Sequence, residues 1–193
     1  MFRSSRWSLL QIGLLGVVLL LSVTIESVAA DSEQRAPYGL GRPATQPEIQ
    51  SWDIEVSPNG DNLPSGQGTV KEGAMIYADF CASCHGATGI EGPMPKLIGG
   101  HDTLQTDNPL KTVGSYWPFA TTLFDYIYRA MPFTAPQSLT PQQVYAVVAW
   151  ILFRNGIIEE SAIVNAQTLP AITMPNHKGF VRDTRSALSK VTP

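Results

Sequence analysis

Charge is scarce in this sequence. Only 15% of its 193 residues are Asp, Glu, Lys or Arg, and the net charge is −3. No cluster of Lys or Arg rises above that background, so the electrostatic footprint of a nucleic-acid partner is missing. Cysteine is scarcer still: Cys81 and Cys84 are the whole supply. The chain shows no internal repeat and no low-complexity tract. It offers no Ser/His/Asp set and no suggestively placed pair of carboxylates. Its glycine-rich stretch GIEGPMPKLIGG, residues 89–100, lacks the Lys-Ser/Thr ending of a phosphate-binding loop. Apolar residues are not lacking, at 44%. They are enough for a core and exclude a disordered composition. The length suits one small globular domain with additional segments.

Long hydrophobic runs are also absent, with one exception near the start. Arg3 and Arg6 precede an apolar run from Leu9 to Val23, and ESVAAD follows with Ala29 and Ala30. The run is short for the ~20 residues of a membrane span. A basic head, an apolar middle and a small-residue end predict a secretory signal peptide, residues 1–30, cut near Ala30. No cysteine follows the cut, which excludes a lipid anchor there. The expected location is the periplasm, with no membrane attachment after cleavage.

Sixteen glycines and 15 prolines predict much loop and few long helices. Residues 31–68 read as an arm without helices, broken by Pro43, Pro47, Pro58, Gly60 and Pro64 among others. Within it Trp52, Ile54 and Val56 alternate with Asp53 and Glu55, as in an extended strap lying on a domain. Residues 69–156 read as a mainly α domain. Val70, Gly73, Ile76, Tyr77 and Phe80 fall near helical spacing and lead into the cysteines. A Gly/Pro-rich loop over 86–118 precedes a short amphipathic helix, ATTLFDYIYRA, residues 120–130. The clearest helix begins at Thr140, with Pro141 in its first position and Gln143 completing a capping box. Asn155 and Gly156 stop it, and Val144, Val147, Val148, Ile151 and Leu152 form its buried stripe. Residues 157–193 read as an irregular tail.

Cys81 and Cys84 stand three apart with His85 directly after them. A thioredoxin-like pair needs a βαβ setting, and the flanks here are helix and Gly/Pro loop. A zinc site needs a second pair of ligands, and His101 and His177 are not paired with anything. A disulfide between adjacent turns closes almost no loop and constrains little. The pattern Cys-x-x-Cys-His fits the attachment site of a c-type haem. Cys81 and Cys84 would form the two thioethers and His85 would reach the iron from one side. One motif means one covalent haem c. A small, glycine-rich domain also gains from a large apolar disc that completes its core.

The opposite side of the iron falls to a methionine. Met1 belongs to the leader, and Met75 lies in the first helix, facing away from the cysteine loop. Of Met94, Met131 and Met174, Met131 is the expected distal ligand. It sits in a constrained Met-Pro loop just before the capped helix, whereas Met94 is too near His85 in sequence to reach the far face. Met94 and Met174 are expected to fill gaps in a core, and His101 and His177 to be exposed loop histidines.

These residues resemble class I cytochromes c. Gly73 and Tyr77 precede Cys81 by eight and four positions, as in the first helix of that family, where the glycine lets the last helix cross closely. Trp150 looks like the aromatic partner on that last helix. PKL, residues 95–97, looks like the family's Pro-x-Leu loop, which implies that the Pro95 carbonyl orients His85. A narrower resemblance spans residues 38–180, through WDIEVSPNGDNLPSGQGTV, TVGSYWPFATTLFDYIYRAMPF and TLPAITMPN. It is to the cytochrome subunit of bacterial sulfane dehydrogenase, the SoxD type, and to related cytochromes of sulfite dehydrogenases. The chain departs from members with a second haem domain, because it has no second Cys-x-x-Cys-His.

The resemblance implies a mainly α haem domain carrying an irregular N-terminal arm and C-terminal tail. It implies electron transfer from a molybdenum-cofactor dehydrogenase subunit to a downstream acceptor cytochrome, with no catalysis by this chain alone. The alternatives are a freely diffusing periplasmic carrier and a haem enzyme or gas sensor with an open iron site. Arm and tail are expected to dock the partner, so that deleting residues 31–66 leaves the haem spectra intact but weakens coupling. The aromatic cluster SYWPF, residues 115–119, is expected to line the haem pocket.

Overall fold

The computed structural model describes residues 38–182. The expected leader, residues 1–30, lies outside them, as do residues 31–37 and 183–193. Residues 38–44 belong to a separate unit and consist of turn and irregular backbone. From Thr45 onward the order is α1 (Gln46–Trp52), β1 (Gln67–Thr69), α2 (Val70–Phe80), α3 (Ala82–His85), α4 (Ala120–Ala130), α5 (Pro141–Arg154), β2 (Ile163–Asn165) and a 3-10 turn (Leu169–Ala171).

The three longer helices start and stop for local reasons. Thr69 caps α2, its hydroxyl accepting from the Glu72 amide while the Glu72 carboxylate accepts from the Thr69 amide at 2.9 Å. Thr140 and Gln143 form the expected box at the start of α5. Helix α4 spans the predicted residues and ends one residue before Met131. Helix α5 is buried on more than a stripe, because every residue from Val144 to Leu152 is buried. Helix α2, helix α4 and both strands pack on it from different sides. A helix enclosed in this way loses its amphipathic pattern.

Two features of the arm depart from expectation. Helix α1 forms despite the surrounding breakers, since Pro47 occupies its first turn, where no amide donor is needed, and Thr45 and Glu48 make a capping box. Trp52 ends that helix and is 87% exposed, so the alternation begins only at Asp53, with Ile54 and Val56 turned inward. Past α1 the arm is built into the domain. The buried Val56 amide donates to Asp125 Oδ1 at 2.7 Å. Thr121 Oγ1 donates to the Pro58 carbonyl at 2.8 Å, and the Tyr145 hydroxyl donates to the Pro64 carbonyl at 2.8 Å. Deleting residues 31–66 would strip these contacts from α4 and α5, so the deletion that spares the domain ends at Trp52.

The tail returns in the same way. Strand β2 pairs antiparallel with β1, Gly68 opposite Val164, a small sheet that the sequence pattern does not predict. Val164, Leu169 and Met174 lie in the core with Val56, which therefore draws on residues outside 69–156. Asn176 Nδ2 donates to the Tyr116 carbonyl at 2.7 Å, and Phe119 bridges to Thr173.

Asp125 carries a pH dependence. Burial pushes its pKa up, but hydrogen bonds from the Arg129 guanidinium and the Val56 amide more than offset this and hold it below the ordinary 3.8. A depressed folded pKa stabilises above the unfolded value, and that stability is lost as pH falls through the folded one. Asp125→Asn is expected to cost about 1–3 kcal/mol at pH 7, and the gap from the parent should close below about pH 4. Urea unfolding at pH 7 and pH 3 measures it; a gap equal at both would mean that the charge contributes nothing.

Candidate functional site

Helix α2 delivers the cysteines. Cys81 is its C-cap, and the single turn α3 follows, in which the His85 amide donates to the Cys81 carbonyl at 3.0 Å. Gly86 ends that turn at φ +83°, and the Tyr77 hydroxyl donates to its carbonyl at 2.8 Å. The loop then doubles back. The Met94 amide donates to the Cys84 carbonyl at 3.0 Å and the Leu97 amide to the Gly89 carbonyl at 2.9 Å.

That fold-back sets Pro95 beside His85. His85 Nδ1 lies 2.9 Å from the Pro95 carbonyl oxygen. A carbonyl only accepts, so Nδ1 carries the proton and Nε2 keeps a free lone pair. A histidine fixed in this tautomer is prepared to ligate a metal. Asn155 steadies the same loop from α5. Its buried side chain accepts from the Gly99 amide at 3.0 Å and donates to the Leu97 carbonyl at 3.2 Å. Sequence alone shows Asn155 only as a helix stop.

The Cys81 thiol is not activated. Both are free, Cys84 exposed and Cys81 half-buried. Burial, and secondarily the neighbouring Cys84, push the Cys81 thiol up to about 11. A redox-active dithiol needs the opposite shift.

Helix α2 crosses α5 at Gly73, where a side chain would collide with the Ala146 carbonyl. One turn later Tyr77 stacks on Trp150, ring centroids 3.9 Å apart. Gly68 of β1 also presses on Ala146, a second close approach with no signal in the sequence.

The methionines part company. Met174 is 1% exposed and fills the core as expected. Met94 is 50% exposed, so it fills no core gap; the fold-back keeps it at the surface beside Cys84. Met131 is half-buried at the C-cap of α4, its amide donating to the Ile127 carbonyl at 3.0 Å. His101 and His177 are exposed. The aromatic cluster is divided: Tyr116 meets Phe180, Phe119 meets His177, and Trp117 meets Tyr126 edge-on.

This donor set fits a haem. Among the described residues no group of three or more His, Cys, Asp or Glu could hold a bare metal ion. An imidazole and a thioether are both donors that the iron of a haem accepts. Cys81, Leu97 and Met131 are among the apolar side chains that pack on the core while only partly buried.

Residues 70–153 match the family model for cytochrome c. The chain is also similar to a solved structure, the sulfane dehydrogenase SoxCD from Paracoccus pantotrophus. The two are 40% identical with a TM-score of 0.71, over 79% of this chain and 75% of that one. No curated protein matches the chain significantly.

Proposed function

Because the chain belongs to the cytochrome c family, we propose that it is the single-haem, periplasmic electron-transfer subunit of a molybdenum-containing dehydrogenase acting on a sulfane or sulfite substrate. The supporting observation is the reach of the likeness to SoxCD, which covers 79% of the chain and so extends beyond residues 70–153. A free carrier needs little beyond the haem domain. Among the described residues no helix is long and apolar enough to cross a membrane.

Cys81 and Cys84 would hold the haem c through two thioethers, and His85 Nε2 and the Met131 sulfur would be its two protein iron ligands. When bound, the haem supplies one-electron cycling between Fe(III) and Fe(II). The Pro95 carbonyl holds the Nδ1 proton and with it the plane of the imidazole. The neutral Met131 thioether favours the reduced state and raises the potential. With His85 and Met131 both as ligands, no position on the iron would be left for a substrate, and the electron acceptor would be a cytochrome.

Purification of the mature, haem-loaded protein from native periplasm, with molybdenum assayed in the eluate, tests this reading. A co-eluting molybdenum protein whose sulfur substrate reduces the haem supports it; a lone cytochrome reduced by many donors identifies a free carrier. Helix α1 is a part of the arm not buried in the domain, and Trp52 is its most exposed large side chain. Buried tryptophans dominate many interfaces. Trp52→Ala is expected to leave the visible spectrum intact and to weaken binding to the molybdenum subunit at least about tenfold. Unchanged affinity would remove α1 from the interface.

A further inference from the structure

The arm and the Met131 loop share one helix. Thr121, Asp125 and Arg129 follow one another at intervals of four, which aligns them along one face of α4. The arm lies along that face. Pro58 accepts from Thr121 at 2.8 Å, and Val56 donates to Asp125 at 2.7 Å. Asp125 in turn accepts from Arg129 Nε at 2.8 Å, and Glu55 of the arm is electrostatically favourable to Arg129. The opposite side of α4 places Leu123, Phe124 and Ile127 in the core. Met131 follows Arg129 by two residues, directly at the helix end.

We propose that residues 55–58 are a positioning clamp for Met131: by holding the Thr121–Asp125–Arg129 face of α4, they keep the distal loop closed on the iron. This rests on Met131 being the distal ligand. The carboxylate joins both halves of the clamp, since one oxygen accepts from the arm and from Arg129 together. Losing the arm amide leaves Asp125 short of a donor in a buried setting, which loosens the last turn of α4.

Imidazole binding to the oxidised, haem-loaded protein reads loop opening directly, because imidazole takes the distal position only when the sulfur leaves. Val56→Pro removes the arm amide and leaves the Asp125–Arg129 pair in place. It is expected to bind imidazole about tenfold more tightly than the parent, the effect of one lost buried hydrogen bond. Thr121→Val, which removes the outer hydrogen bond alone, shifts affinity in the same direction and decides the matter if Val56→Pro fails to load haem. Val164→Ala, in the core at β2, destabilises the fold without touching the clamp. An equal rise in all three variants, or none in Val56→Pro and Thr121→Val, overturns the proposal. A parent protein without the far-red sulfur–iron band would instead overturn the Met131 assignment itself.

Discussion

Met131→Ala, loaded with haem and oxidised, is expected to lose the weak far-red sulfur–iron charge-transfer band completely. Its reduction potential should fall, because the neutral thioether that favours Fe(II) is gone. Carbon monoxide should then bind the reduced protein rapidly through the opened position. Met174→Ala should do the reverse: keep the band and lose about 2–5 kcal/mol of stability, as truncated buried methionines do. Burial separates the two residues. Met174 is 1% exposed and enclosed by the core, whereas Met131 ends α4 with part of its side chain uncovered. Visible spectra and guanidinium unfolding of both variants check the pair. A band that survives Met131→Ala and vanishes with Met174→Ala would transfer the ligand role to the tail.

Gly73→Ala is expected to be among the most damaging changes of a single methyl group. A Cβ there meets the Ala146 carbonyl carbon and oxygen and, at 2.8 Å, the Trp150 Cβ. Backbone cannot rotate aside as a long side chain does, so α2 and α5 must separate. Separation also parts Tyr77 from Trp150 and moves the helix end that carries Cys81. Overpacking of this kind costs about 3 kcal/mol or more, roughly 10 °C in melting temperature for a domain of this size. Thermal melts followed by circular dichroism measure it. The control on the same helix is Met75→Ala, which changes an exposed position and should leave stability within about 0.5 kcal/mol of the parent. Equal melts for Gly73→Ala and Met75→Ala would mean that the crossing tolerates a side chain.

The proximal half of the site was legible because its logic is local. Cys81, Cys84 and His85 lie within one helical turn, and Pro95 is ten residues on. Nothing near Asp125 in sequence announces the arm, because its partner there, Val56, is 69 residues away. Asn155 offered the same difficulty, since a stop signal and a loop anchor look alike in one dimension. The two-stranded sheet escaped notice for a related reason: three residues per strand carry too little alternation to register.

Sequence alone sufficed for the chemistry of short separations: the cap at Thr140, the extents of α4 and α5, and the Cys-x-x-Cys-His turn. Each depends on groups within four residues, whose geometry the backbone dictates once a helix begins. Tertiary packing was needed to bring the arm and tail into the core, to enclose Met174 while leaving Met131 partly open, and to set Val56 and Pro58 on the helix leading to Met131. Such pairings join distant segments, Val56 to Asp125 across 69 residues and Pro64 to Tyr145 across 81. They form because buried amides, carbonyls and carboxylates must find partners, and which partner is nearest follows from how the helices pack.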